Sequence, residues 1–155
     1  MMNNADYGLS LQKKICEKYN LDINKQAEAQ FNANYNREYD SELEKVIPVI
    51  FEKVNAVPIS LLTYTQELTK GRQTTSPHNF MLDNGKTLSI RTTKNSDKVA
   101  PRTVGQAGFG ILNEYFADIY GGQINSQEDV RVLIYEHVWQ HSLLFYVLAV
   151  PNNGQ

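Results

Sequence analysis

Seven of the fifteen Lys and Arg residues lie within residues 70–102, where Asp and Glu together number only two. Lys70, Arg72, Lys86, Arg91, Lys94, Lys98 and Arg102 make this segment basic inside a chain whose formal net charge is −2. The chemistry such a segment supports is phosphate binding, because local patches rather than total charge govern contacts with polyanions. A solvated hairpin edge, guarded by lysines against pairing with another chain, would carry the same residues. Thr92 and Thr93, set between Arg91 and Lys94, suit an arm that follows a nucleic-acid backbone. Gln106, near the start of an expected helix, could meet a phosphate or a base edge, or simply cap that helix.

Other reactive residue types offer less. Asp83 opens an Asp-Asn-Gly turn and has a conformational reason to be there, whatever else it does. His137 and His141 are four apart on an expected helix, a spacing that can supply two metal ligands, but no third ligand is evident. His78 follows Pro77 at a strand start and reads as structural. The single cysteine, Cys16, has no partner for a disulfide or a zinc cage and reads as a small core residue.

The element that must position the basic residues is a β-hairpin. His78 to Leu82 and Thr87 to Thr92 are strand-forming runs on either side of Asp83-Asn84-Gly85-Lys86, and Asn-Gly is the strongest short-range hairpin signal. A two-residue Asn84-Gly85 loop sets Phe80 opposite Ser89 and His78 opposite Arg91, with Asn79, Met81, Leu88 and Ile90 on the other face. A longer or bulged turn slips the pairing by one and brings Asn79 opposite Ser89.

Around the hairpin, Tyr7, Leu11, Ile15 and Tyr19 recur every four residues and predict an amphipathic helix whose stripe serves core or interface. Residues 20–39, rich in Asn, Gln and Ala, are either a weak helix or a polar connector. A helix is expected from Ser41, with Ser41-Glu42-Leu43-Glu44 as a capping box and Leu43, Val46, Ile47, Ile50, Phe51 and Val54 buried. Pro48 should kink or split it, and a strand should follow Pro58. Helical spacing resumes over 104–120, closed by Gly121-Gly122. Ser126 and Asp129 begin another helix, with Val130, Leu133, Ile134, Val138 and Trp139 inward. Leu143 to Val150 reads as a buried strand, entered from a helix and so suited to parallel pairing. The fold class is therefore α/β (α+β): a central mixed sheet flanked by helices, with an extra N-terminal helix.

At 155 residues with 41% hydrophobic content, the chain can bury the core of one domain. We expect residues 1–40 to be an N-terminal helical extension and 41–150 the core. No apolar run approaches the roughly 20 residues that span a bilayer, and MMNNAD lacks the basic and apolar regions of a signal peptide, so a cytoplasmic location is expected.

The stretch GRQTTSPHNFMLDNGKTLSIRTTK, between a leading helix and one beginning TVGQAG, resembles the catalytic hairpin of the PD-(D/E)XK nucleases, and more narrowly of type II restriction endonucleases. That resemblance implies an αβββαβ core and Mg²⁺-assisted hydrolysis of double-stranded DNA within a restriction system. It sets Asn79, or alternatively Asp83, at the family's Asp, and Ser89-Ile90-Arg91 at its acid-X-Lys. Asn79 and Ser89 are neutral where the family has carboxylates, and Arg91, always protonated, cannot act as a base. The resemblance leaves Asp83 and Glu67 to hold the metal, with Glu44 a possible contributor. It leaves Arg91 to steady the scissile phosphate, Ser89 to support the attacking water, and Lys70, Arg72, Lys94, Lys98, Arg102 and Gln106 to follow the DNA. Cutting both strands of a symmetric site implies a homodimer, built through the N-terminal helices. A catalytically inactive nucleic-acid-binding or protein-interaction module of the same fold is the alternative.

Overall fold

A computed structural model of the chain describes residues 4–63, 78–93, 113, 116, 117, 120–136 and 142–148. Helix α1 spans Asn4–Tyr19, α2 Lys25–Asn34 and α3 Asp40–Val54, with a 3-10 turn at Arg37–Tyr39 between α2 and α3. Strands β1 Pro58–Leu61, β2 Phe80–Leu82 and β3 Thr87–Thr93 follow, then helix α4 Gln127–Ile134 and strand β4 Ser142–Leu148. The strands lie in the order β1-β2-β3-β4; the first three are antiparallel, and β4 runs parallel to β3 from Thr87↔Ser142 to Thr93↔Leu148. No helix among the described residues is long and apolar enough to cross a membrane.

The four-residue stripe of α1 lies in the core of the chain itself. Tyr7, Leu11 and Ile15 are fully buried, in one apolar cluster with Phe31, Leu43, Ile50, Phe80, Leu82 and Leu88. Each such aliphatic or aromatic side chain contributes about 1.5–3 kcal/mol by leaving water. The helix lies close against the sheet because position 8 is glycine: a Cβ there would stand 3.1 Å from the Thr92 hydroxyl of β3. Helix α1 is thus not an extension appended to a core at 41–150; it covers one face of the sheet.

Within residues 20–39 the chain forms α2, capped by the Asn24 side chain accepting the Ala27 N–H at 2.8 Å, and then the 3-10 turn, with short non-helical connections at 20–24 and 35–36. The capping box expected at Ser41 does not form, since the helix already begins at Asp40 and the residue before it, Tyr39, makes no side-chain cap bond. Pro48 does not divide α3. It lies on the exposed face together with Glu44, whose carbonyl it leaves without an N–H partner, so water can supply the missing bond. Of the inward stripe, Leu43, Ile47, Ile50 and Phe51 are buried as expected, while Val46 and Val54 are only partly buried against the core. Asn55, left-handed at φ 54°, ends the helix three residues before Pro58 starts β1.

The hairpin pairs Phe80 with Leu88 and Met81 with Thr87, one residue away from the two-residue-loop register. The loop is Asp83-Asn84-Gly85: Leu82 N–H donates to Lys86 O at 2.9 Å, Gly85 N–H to Leu82 O at 3.1 Å, and Gly85 takes φ 81°. A three-residue loop with glycine in the left-handed position is the next commonest hairpin solution, and the Asn-Gly pair serves it as well. The slip puts Phe80, Leu82, Leu88 and Ile90 together on the α1 face, all buried. Met81, Thr87, Ser89 and Arg91 face the other way.

Towards the C-terminus, residues 113, 116, 117 and 120 are helical, and Gly121 and Gly122 N–H groups close that segment on Ala117 O at 2.9 and 3.0 Å. Ser126 caps α4 by accepting from Glu128 and Asp129 N–H. Val130 and Leu133 are buried as the stripe requires, while Val138 and Trp139 lie outside the described residues.

Candidate nucleic-acid interface

The hairpin has a closed end, at the turn, and an open end, where β3 continues to Thr93 while β2 has stopped. The residues singled out from the sequence divide between them.

At the closed end, Asp83 is exposed, and its carboxylate accepts the Val57 N–H at 3.0 Å while its own N–H donates to Val57 O at 2.9 Å. This two-way bond ties the turn to the entry of β1. In the observed register Asp83 faces Gly85, six residues along β3 from Arg91, so the two are about 20 Å apart at the usual strand rise. Asp83 therefore cannot share a metal ion with anything at Arg91. Lys86 belongs to this same end and is exposed.

At the open end, Asn79 is 1% exposed, and both its side-chain oxygen and its side-chain nitrogen are hydrogen-bonded. Its N–H donates to Leu88 O at 2.9 Å, although Leu88 is already the register partner of Phe80, so two residues of one strand face one of the other in the manner of a β-bulge. Its Oδ1 accepts the Ile90 N–H at 2.7 Å, replacing the backbone acceptor that a continuing strand would have offered. Its Nδ2 donates to Thr63 Oγ1 at 3.2 Å, and the Thr63 hydroxyl donates to Gln12 Oε1 of α1 at 2.9 Å. Asn79 is thereby drawn toward the helix-covered side of the sheet, away from Ser89 and Arg91.

Ser89 is 5% exposed and Arg91 half-buried; they alternate with the core residues Leu88 and Ile90 and so share the opposite face. Arg91 makes no ion pair with an acid among the described residues, where the only salt bridges join Lys13, Lys14 and Arg131 to nearby carboxylates. A guanidinium on a sheet face, with no ion pair among the described residues, is suited to a phosphate or carboxylate brought from outside. His78, at the same end, meets the Thr87 hydroxyl at 3.2 Å through Nδ1.

These side chains do not fit a divalent-cation centre. Mg²⁺ is held through carboxylates, whereas Asn79 and Ser89 are neutral, the Asn79 oxygen is already occupied by Ile90 N–H, and Arg91 is cationic. Among the described residues no group of three His, Cys, Asp or Glu side chains is arranged to hold a metal. Glu44 is exposed on α3, where it lines a surface cavity of about 320 Å³ with Lys14, Glu17, Lys18 and Ile47, and so belongs to the helical layer. Glu67, Lys70, Arg72, Lys94, Lys98, Arg102, Gln106, His137 and His141 lie outside the described residues.

Two participants were missed from the sequence. Gln12 and Thr63 look like an ordinary helix-surface and strand-end residue, and only the fold brings them to Asn79. Cys16 is what its position beside Ile15 suggests: it is buried, and burial pushes its thiol up to about 12.

The chain matches no family model, no curated protein and no solved structure.

Proposed function

We propose that this chain acts on DNA as a PD-(D/E)XK-type domain of the restriction-endonuclease kind. The observation that carries the reading is topological. An antiparallel β1-β2-β3 meander led by α3 is extended by β4 in parallel to β3, after an intervening helix. This order is compatible with the αβββαβ core that the resemblance implies, and it supports a reading in which Ser89-Ile90-Arg91 on β3 and Asn79, just before β2, stand at the motif positions. The concentration of basic residues within 70–102 supplies the electrostatic half of the argument. In this reading Arg91 holds a backbone phosphate through paired N–H donors, Ser89 lies one step inward on the same face, and Lys70, Arg72, Lys94, Lys98 and Arg102 follow the strand.

Hydrolysis with Mg²⁺ as cofactor remains part of the proposal only through acids other than Asp83, and Glu67 is the one the sequence offers. A second reading, retention of DNA without cutting, is favoured by a specific observation: the position the resemblance assigns to a carboxylate is an asparagine with both ends of its amide engaged inside the fold.

Incubation with plasmid in Mg²⁺, beside Glu67→Ala, Asp83→Ala and Arg91→Ala, separates the two. Cutting by the parent chain that Glu67→Ala and Arg91→Ala abolish and Asp83→Ala keeps establishes the enzyme. Salt-sensitive retention without cutting establishes the binding module, and neither cutting nor retention would refute both.

A further inference from the structure

The buried amide of Asn79 closes a chain of three hydrogen bonds that runs from α1 through Thr63, two residues past β1, to the middle of β3: Gln12 Oε1, Thr63 Oγ1, Asn79 and the Ile90 N–H. Thr63 is 2% and Asn79 1% exposed, so each loses access to water and depends on the next for its bond. The directions are fixed by chemistry. A backbone N–H can only donate, so Asn79 presents its oxygen to Ile90; its nitrogen must then donate to Thr63, whose single proton goes to Gln12. The chain ends at the residue immediately before Arg91.

We infer that Gln12, Thr63 and Asn79 are positioning residues whose task is to aim Arg91. The inference rests on the reading of Arg91 as a phosphate contact. Past the bulge, β3 no longer has β2 to hold its Ile90 N–H, and the Asn79 amide takes that place. The strand keeps its pleat on both sides of Ile90, with Ile90 locked into the α1 face and Arg91 turned out on the other. Without the amide, the Ile90 N–H would be left buried and unsatisfied, and the backbone between Ser89 and Arg91 could rotate to find water, carrying the guanidinium with it. Helix α1 thereby reaches the DNA-facing side of the sheet without touching it.

The test is equilibrium binding of a fluorescent DNA duplex across a salt series. The variants are Thr63→Val, which keeps shape and removes the hydroxyl, Thr63→Ser, which restores it, and Arg91→Ala. Thr63→Val is expected to weaken binding by roughly tenfold, the scale of one charge-assisted bond, and to flatten the salt dependence as Arg91→Ala does. Adding Thr63→Val to Arg91→Ala should cost nothing further, and Thr63→Ser should return to the parent value. Gln12→Leu repeats the test from the half-buried end of the chain, where folding is least threatened, and Gln12→Glu, which keeps an acceptor, should bind like the parent. Should Thr63→Val and Gln12→Leu bind like the parent while Arg91→Ala is weakened, the positioning role is refuted and the phosphate contact stands. Should Arg91→Ala itself bind like the parent, the phosphate contact falls and the positioning role with it.

Discussion

The two ends of the hairpin use one device for opposite purposes. At the turn, Asp83 accepts the N–H of Val57, and at the open end Asn79 accepts the N–H of Ile90, each side chain standing in for a strand that is not there. The Asp83 bond is exposed and closes the hairpin onto its own sheet. The Asn79 bond is buried and ends the β2-β3 pairing, after which β3 continues through Arg91 to Thr93. A carboxylate spent on architecture at the exposed end, and an amide at the buried end, leave Arg91 as the charged side chain of β3, without an ion pair among the described residues. A residue's position in a turn or bulge therefore says more about its availability for chemistry than its type does.

That contrast can be broken most severely at its shared foundation. Phe80 is fully buried beneath both ends, and Phe80→Ala should cost about 3–5 kcal/mol of stability, measured by urea unfolding. Asn79→Leu comes next: it removes the acceptor for Ile90 and the donor to Thr63 in a water-free site, and should cost about 2–3 kcal/mol. Hydrogen exchange at the Ile90 amide should speed up in that variant while exchange at Val57 does not change. Gly85→Ala acts only on the turn, where φ 81° penalises a Cβ although nothing stands within 4 Å of it, and about 1 kcal/mol is expected. Asp83→Ala, exposed, should cost less than about 1 kcal/mol.

A pH experiment sharpens the picture of the helical layer. Cys16 holds its proton to about 12 against an ordinary value of 9.0, and Tyr7, raised by burial and by the Glu42 carboxylate it donates to, holds its phenol proton as well. On unfolding both would release protons at lower pH. The unfolded chain therefore binds fewer protons above about pH 9, and stability should fall from there upward. Thermal melts between pH 8 and 11 should show the decline, and Cys16→Ala should make it shallower. Iodoacetamide should leave native Cys16 unmodified at pH 8.

The periodic parts of the fold were legible in the sequence because their signals are local. Tyr7-Leu11-Ile15, the α3 stripe, the Ser126 cap and the apolar run of β4 each announce their element through spacing alone, and the parallel β3-β4 pairing follows from entry through a helix. What was not legible depends on geometry that spacing does not encode. Asp-Asn-Gly is compatible with two- and three-residue loops, and the one-residue difference turns one strand over relative to the other, so that Phe80 shares a face with Leu88 rather than with Ser89. Pro48 predicts a broken helix until its exposure is known. The resemblance placed Asn79 and Asp83 as alternatives for one role; the register puts them at opposite ends of the hairpin and the hydrogen bonds give each a different structural task. Gln12 and Thr63 carry no signal in isolation, because their meaning lies in a partner 51 residues apart in sequence.

The claim beneath all of this is that the open end of the hairpin meets DNA and the turn does not. Titrating one labelled duplex at low salt with the parent chain, Arg91→Ala and Asp83→Ala tests it most directly. The account predicts binding weakened roughly tenfold for Arg91→Ala, with a reduced salt slope, and unchanged for Asp83→Ala. Loss of binding in Asp83→Ala with Arg91→Ala unaffected would contradict it.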